Sequence, residues 1–482
     1  MLSHDIVNYL LKYDFQITPD GIKFLMEQDN DVHVIIDKII QQKTKNKEND
    51  FVISKYDIEN IVIPKKKIKV VKDMIYDFQI VSGQESVPDQ LEGIDGYHRL
   101  INNRFGKFSR IMHERQDSKF VRKINVARNN IDGKPCKIAG LLVEKNKREK
   151  TYDIIIEDDT GSLNIMVIGK SAISQIERFL IDQMIIIDIS YSKKINRFVL
   201  QDCYPLDIPS RVFDSKEKEP VYGVFLSDIH VGSKTFLEDS FRRFLDWLNG
   251  KSDDLETVNN IQYLVVAGDV VDGIGVYPGQ EEELTELNFT KQYDEFAKLL
   301  KEIPNHIRVF ISPGNHDATR HALPQPPIFK KYASSLYDMD NVEMLGDPCY
   351  IRLHGVNILV YHGQSLPDII GSTPGISFDN PAEAMKVLLR ARHLSPTHGS
   401  GSTTVALEED DRLVIDDVPD IFHCGHVHTV QAMKYRGSLL INSGTWQSQT
   451  QYQKRLGIVP EPAVAMVVDL STLEMVMMKR FE

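Results

Sequence analysis

Ile261-Gln-Tyr-Leu-Val-Val-Ala267 runs straight into Gly268-Asp269-Val-Val-Asp272. A mostly apolar run of that length reads as a strand buried on both faces, and carboxylates just past its C-terminal end stand where open α/β sheets place ligands. The same order recurs along the chain. Val221 to Leu226 leads to Asp228-Ile-His230, Ile307 to Ile311 to Gly314-Asn315-His316-Asp317, Val356 to Tyr361 to His362-Gly363, and Ile421 to Phe422 to Gly425-His426-Val-His428. A sixth strand, Ser438 to Ile441, carries no such cluster. Alternating with helices, these strands predict a layered α/β domain over 211–482, entered through the charged hinge Asp214-Ser-Lys-Glu-Lys-Glu219.

The clusters consist of metal-ligand residue types. Two divalent cations about 3.5–4 Å apart polarise a phosphoryl oxygen and activate water for in-line displacement. Such a pair needs a bridging carboxylate, with imidazole, amide and carboxylate groups filling the other positions. In Asp-x-His and His-x-His, residues i and i+2 share one face of a short extended segment, and the glycines before Asp269, Asn315 and His426 let the backbone turn sharply.

The order DxH, GDxxD, GNH[DE], a lone H and GHxH is similar to that of the calcineurin-like metallophosphoesterase superfamily, over about Val221 to Trp446. The resemblance implies one metal on Asp228, His230 and His428, and a second on Asn315, His362 and His426, with Asp269 bridging. It implies that His316 protonates the leaving oxygen and that Asp272, hydrogen-bonded behind it, sets its tautomer. For the lone histidine, His321, His354, His393, His398 and His423 are the alternatives; His362 is preferred because it ends an apolar strand and precedes Gly363.

The flanking residues narrow the resemblance. Arg320 and Pro324-Gln-Pro-Pro327 form a stiff wall beside Asn315, and Gln364-Ser-Leu-Pro-Asp-Ile-Ile370 follows His362. Together with Met385 to Pro396 and Val418 to His428, the chain resembles the small subunits of archaeal family-D DNA polymerases. That implies a proofreading 3′→5′ exonuclease acting on a single-stranded DNA 3′ end, in a heterodimer with a large catalytic subunit. Manganese is the first choice of metal, with magnesium, iron or zinc also compatible. Two other readings stand beside it: a non-catalytic scaffold subunit of the polymerase, and a stand-alone repair nuclease. The C-terminal Met475 to Glu482 reads as a last strand, with docking to a sliding clamp as the other reading.

The expected architecture is multidomain α+β. Residues 1–63 form a small helical module with a stripe of Ile6, Tyr9, Leu10 and Tyr13, and 64–92 a linker rich in lysines and turns. Residues 93–210 hold an oligonucleotide-binding-type (OB-fold) β-barrel behind a basic helix, and 211–482 a four-layer metallophosphoesterase domain. The barrel strands are expected at Val121–Ala127, Lys137–Glu144, Thr151–Glu157, Leu163–Ile168, Met184–Ser190 and Arg197–Gln201.

Charge is unevenly spread. The chain carries 57 Lys and Arg against 69 Asp and Glu, net −12. Residues 99–150 alone hold fifteen basic and five acidic side chains. Arg104, Lys107, Arg110, Arg122 and Lys123 are therefore candidate DNA contacts, with a solvated helix face as the plain alternative. Four scattered cysteines exclude a disulfide framework and a C-x-x-C zinc site. Apolar runs of only a few residues give no membrane span or secretory signal, so a cytoplasmic, nucleoid-associated protein is expected.

Overall fold

The computed structural model describes residues 3–13, 15–26, 32–45, 52–53, 58, 76–84, 91–214, 219–251, 254–397 and 401–482. Most of the expected linker, including Lys65-Lys66-Lys67, lies outside the described residues, as do 215–218 of the hinge and His398. The chain divides into two compact units, 1–73 and 74–482.

In the first unit, the helices Ser3–Leu11, Pro19–Met26 and Val32–Lys45 bury Ile6, Leu10, Leu25, Ile36 and Ile39 in one core, and Gln16–Ile17 pairs in parallel with Val52–Ile53.

Among the described residues the second unit contains three six-stranded sheets, two of which face each other. The first has the order Val342–Met344, Arg308–Ser312, Ile261–Ala267, Tyr222–Leu226, Val464–Asp469, Glu474–Arg480. Its first four strands are parallel and the last two pair antiparallel. The second has the order Val430–Tyr435, Ser438–Ser443, Ile421–Cys424, Val356–Val360, Cys349–Leu353, Phe78–Ser82.

Alternation on the central strands decides the packing. Tyr263 and Val265 point toward the facing sheet and meet Ile351, Ile358 and Ile441, while Leu264 and Val266 join Phe241, Phe244 and Phe296 of the helices Glu238–Leu248 and Phe289–Leu300. The outer face of the second sheet is covered by Leu366–Ser372 and Pro381–Ala391, with Met385 and Leu388 on Leu359, Phe422 and Leu440. All seven residues of Ile261–Ala267 are buried, which is why that strand is apolar almost without a break.

Strand Phe78–Ser82 corrects the expected linker. It pairs antiparallel with Cys349–Leu353, and Phe78 and Ile80 pack against the core between the sheets. Five residues alternating in burial, with a partner some 270 positions away (Tyr350 on Ser82, |i−j| = 268), leave little local signal.

Five strands, Cys136–Lys147, Thr151–Asp158, Gly161–Ile168, Arg197–Pro205 and Met184–Ser192, form a barrel closed by pairing of the first with the last. Ile138, Ile154, Ile156, Ile165, Val167, Ile187 and Ile189 fill it. The strand expected at Val121–Ala127 is instead a two-residue strand, Val121–Arg122, followed by a helical turn, Ile124–Ala127. The hairpin turn explains this: Asp158 Oδ2 accepts from Ile124 N (2.8 Å) and Thr160 Oγ1 from Asn125 N (3.1 Å), capping the turn's free amides.

The basic helix, Gly93–His113, is not a DNA-facing surface along its length. Leu100 packs into the core under the second sheet, and Phe108 packs on Leu141, Met184 and Ile186 of the barrel. Arg104 is fully buried, donating from Nε to Asp411 Oδ2 (2.6 Å) and from Nη1 to the Pro396 carbonyl (2.9 Å). Lys107, also buried, donates to the Asp411 carbonyl (2.9 Å) and pairs with Asp410 (2.8 Å). Both expected DNA contacts are thus internal. Three acidic positions distant in sequence, Asp410, Asp411 and Asp416, claim these cations, and barrel and sheets become one unit through them. Arg110, Arg122 and Lys123 are exposed or partly so, with Lys123 paired to Asp159.

Met475 to Arg480 is a strand as expected, and Phe481 is buried against Phe244 and Trp247. Among the described residues, no helix is long and apolar enough to cross a membrane.

Candidate metal centre

Asp228, Asp269, Asn315, His362 and His426 each follow the C-terminal end of a different strand of the two sheets, so the sheet-to-sheet packing brings five loops to one place. Local backbone then aims the donors. Asp228, His230, Asp269, His426 and His428 all have positive φ, between 52° and 68°. The Asp-x-His and His-x-His pairs are therefore not extended segments: left-handed turns point their side chains inward, a conformation costly for non-glycine residues and found where surroundings over-determine it. The glycines act by absence as well as by turning. A Cβ on Gly268 would stand 2.4 Å from His362 Nδ1, one on Gly314 2.2 Å from Asp269 Oδ1, and one on Gly425 2.4 Å from Asp228 Oδ2.

Around His362 Nε2 converge Asn315 Oδ1 at 3.1 Å, His426 Nδ1 at 3.2 Å and Asp269 Oδ2 at 3.2 Å. His428 Nε2 lies 3.2 Å from both His230 Nε2 and Asp228 Oδ1, and His230 Nε2 lies 3.9 Å from Asp269 Oδ2. Donors about 2.1 Å from a common cation stand roughly 3–3.5 Å apart, so each set is spaced for one ion. Asp269 Oδ2 belongs to the set around His362 and stands 3.9 Å from His230 of the other.

The remaining atoms of these candidate ligands are held by protein. Asp228 Oδ2 accepts from His426 N (2.8 Å) and Asp269 Oδ1 from His316 N (2.8 Å), so among the described residues buried Asp228 Oδ1 is left facing His428 Nε2 at 3.2 Å. His362 Nδ1 donates to the Ala267 carbonyl (2.8 Å), leaving Nε2 a lone pair. His230 Nδ1 stands 3.0 Å from Asp272 Oδ1, and His428 Nδ1 2.8 Å from the Gln453 amide.

Electrostatics gives the same answer. Burial alone would push the Asp269 carboxyl up, yet the histidines around it, His362 foremost, hold it well below the usual carboxylate range. Burial would likewise lower His230 and His362, but the carboxylates raise them to about 9 and about 10, Asp272 acting first on His230 and Asp269 on His362. His426 goes the other way, lowered to about 3 by burial first and then by His362, so the carboxylates outweigh burial at His230 and His362 alone, and divalent cations fit the charge left there.

His316 stands beside this centre, its ring 4.8 Å from that of His230. Its Nδ1 donates to the backbone carbonyl of Asp272 (2.7 Å). The expected role of Asp272 is corrected here: its carboxylate turns to His230 and is held by Gln447 Nε2 (3.1 Å) and Gln280 Nε2 (3.2 Å), while its carbonyl orients His316. Identical spacing serves either contact, so the sequence does not choose between them.

The alternative histidines go elsewhere. His321 is exposed, His354 Nε2 faces Gln262 (2.9 Å), His393 Nε2 faces Asp411 (3.1 Å), and His423 Nε2 faces Ser443 Oγ (2.9 Å). Other supports carry little sequence signal. Asp347 Oδ1 accepts from His362 N (2.7 Å), Asp317 Oδ2 accepts from Gly314 N (2.9 Å), and Gln453 and Gln447 come from beyond the last motif. Of these, only Asp317 falls within a motif, as the acidic residue closing Gly-Asn-His-Asp. The expected wall does abut the site, Gln325 Nε2 donating to the Gly314 carbonyl (3.3 Å).

Residues 224–432 match the family of B subunits of DNA polymerases alpha and epsilon. The DNA polymerase II small subunit of Archaeoglobus fulgidus is 39% identical over 398 residues, 82% of this chain and 77% of that protein. The DNA polymerase II small subunit of Pyrococcus furiosus is 40% identical over 392 residues, 80% of this chain; the chain spans 63% of that relative's length. Among solved structures, a novel archaeal phosphodiesterase overlaps 54% of this chain and 100% of its own at 13% identity and TM-score 0.28. With barrel, paired sheets and ligand geometry in place, the chain belongs to the family of archaeal DNA polymerase II small subunits, those of the family-D polymerases.

Proposed function

We propose that this chain joins a large catalytic subunit in a DNA polymerase heterodimer and that its metal centre is a 3′→5′ exonuclease proofreading the DNA 3′ end. The observation that supports the reading is the approach of two donor sets to one carboxylate oxygen, Asp269 Oδ2, 3.2 Å from His362 and 3.9 Å from His230, with an oriented histidine beside them. Two bound divalent metals, manganese as first choice, would polarise the phosphoryl oxygens and supply the activated water. The chain's own residues do the rest. Asp228, His230 and His428 would hold one ion and Asn315, His362 and His426 the other, with Asp269 between them. In its doubly protonated form His316, fixed through Nδ1, delivers the Nε2 proton to the 3′ oxygen expelled as water adds to phosphorus and the P–O3′ bond breaks, and a nucleoside 5′-monophosphate leaves. Mismatched termini fray more readily, which presents a single strand to the site. On this reading the barrel is of OB type beside a four-layer phosphoesterase body, and Arg110, Arg122 and Lys123 track the strand.

The test is degradation of a 5′-labelled single-stranded oligonucleotide with manganese, alone and with the large subunit. A ladder shortening from the 3′ end, lost in Asp269→Ala and His316→Ala, is the expected result. Intact substrate under both conditions would leave a scaffold subunit.

A further inference from the structure

The loop Gly273–Gln280 supplies no metal ligand, yet it is built against His316. A Cβ on Gly273 would stand 2.2 Å from the His316 carbonyl oxygen, so only glycine lets the chain pass there. Gln280, fully buried, accepts from Val276 N (2.9 Å) and donates to the Asp272 carbonyl (2.8 Å), the same oxygen that receives His316 Nδ1–H. Tyr277 is thereby carried in fixed relation to the acid: the two ring centroids are 6.4 Å apart at an interplanar angle of 64°. Its hydroxyl donates to Glu283 Oε2 (3.1 Å), which orients the ring while leaving it half-buried, next to half-buried Val276.

Building on the exonuclease reading, we propose that Tyr277 is a stacking platform for one nucleobase, that of the penultimate nucleotide. The assignment follows from the chemistry of the leaving group. His316 protonates the 3′ oxygen released at cleavage; that oxygen belongs to the penultimate nucleotide, whose base lies one sugar away from it. The ring beside His316 therefore faces the strand that stays, and the terminal base lies toward the metals. Every base has a π face, so this contact holds the strand without choosing a sequence, as an enzyme that removes any nucleotide needs.

The experiment uses the full chain and single-stranded oligonucleotides carrying 2-aminopurine at either the penultimate or the terminal position, bound in EDTA so that nothing turns over. Stacking quenches the penultimate probe on native protein and on Tyr277→Phe, and Tyr277→Ala abolishes the quench. With manganese, Tyr277→Ala raises KM for an ordinary oligonucleotide about 5- to 150-fold, the equivalent of one stacked base, with kcat little changed. On an oligonucleotide abasic at the penultimate position the native and Ala chains become equal. An equal loss on that abasic substrate, a quench only at the terminal position, or an unchanged KM would overturn the proposal. If native protein degrades no oligonucleotide with or without the large subunit, the exonuclease reading fails, and the quench in EDTA still decides whether Tyr277 stacks a base.

Discussion

Two charged regions stand out in this chain, and folding treats them in opposite ways. The five acidic and histidine clusters at strand ends converge with donors 3.1–3.9 Å apart and leave a buried site short of positive charge. The basic segment around Arg104 and Lys107 is instead consumed internally, its cations neutralised by Asp410 and Asp411. Charge alone does not mark a functional surface. What separates the two regions is compensation: the first keeps donors whose partner the chain does not supply, whereas the second finds its partners about 300 residues along the chain.

The sharpest way to break that contrast is to remove the carboxylate between the two donor sets. Asp269→Ala should lower exonuclease turnover by about 10³-fold or more, the scale on which a charge-stabilising group is lost, and reduce metal content measured on the purified protein. A variant that keeps its metals and its rate would show that the two donor sets are independent.

Next in size is Arg104→Ala, which leaves Asp411 buried and without its guanidinium partner. It should cost about 3–5 kcal/mol in denaturant unfolding while the rate per folded molecule stays unchanged. If it weakened DNA binding without loss of stability, Arg104 would have to be returned to the DNA-facing group.

Acid tests the same interior cluster. Burial first, then Arg104, lowers His393 to about 4, and Asp411 is held far below the usual carboxylate range by His393 and Arg104 despite its burial. Between the unfolded value near 6.5 and about 4 the unfolded chain binds the His393 proton and the folded chain does not. Stability from this group is therefore complete above pH 6.5 and falls as pH drops toward 4, by on the order of 2–3 kcal/mol; Asp411 adds loss in the same direction at lower pH. Melting temperature followed from about pH 7.5 to 4.5 should decline less in Arg104→Ala/His393→Gln than in the native chain.

Asp272→Asn sharpens the metal side. Because the carboxylate supports His230, the substitution should weaken metal affinity about 10- to 100-fold, and added manganese should restore much of the rate. A defect that excess manganese does not touch would put the carboxylate back behind His316. The smallest effect belongs to Arg110→Ala with Arg122→Ala: each should shallow the salt dependence of single-strand binding by about 0.7 in log–log slope.

The sequence by itself determined the strands whose ends carry the His, Asp and Asn clusters, because an apolar run followed by Gly and His or Asp is a local pattern; the division of those residues between two metals came from the family resemblance. His362 could be preferred over five other histidines for the same reason. Tertiary structure alone decided how those ligands aim, with Asp228, His230, Asp269, His426 and His428 in left-handed turns. It alone decided that the Asp272 carboxylate serves His230, that Phe78–Ser82 completes a sheet, and that Arg104 is buried. Each of these depends on a partner far away in the chain, and side-chain direction and charge compensation are properties of neighbours in space rather than in sequence.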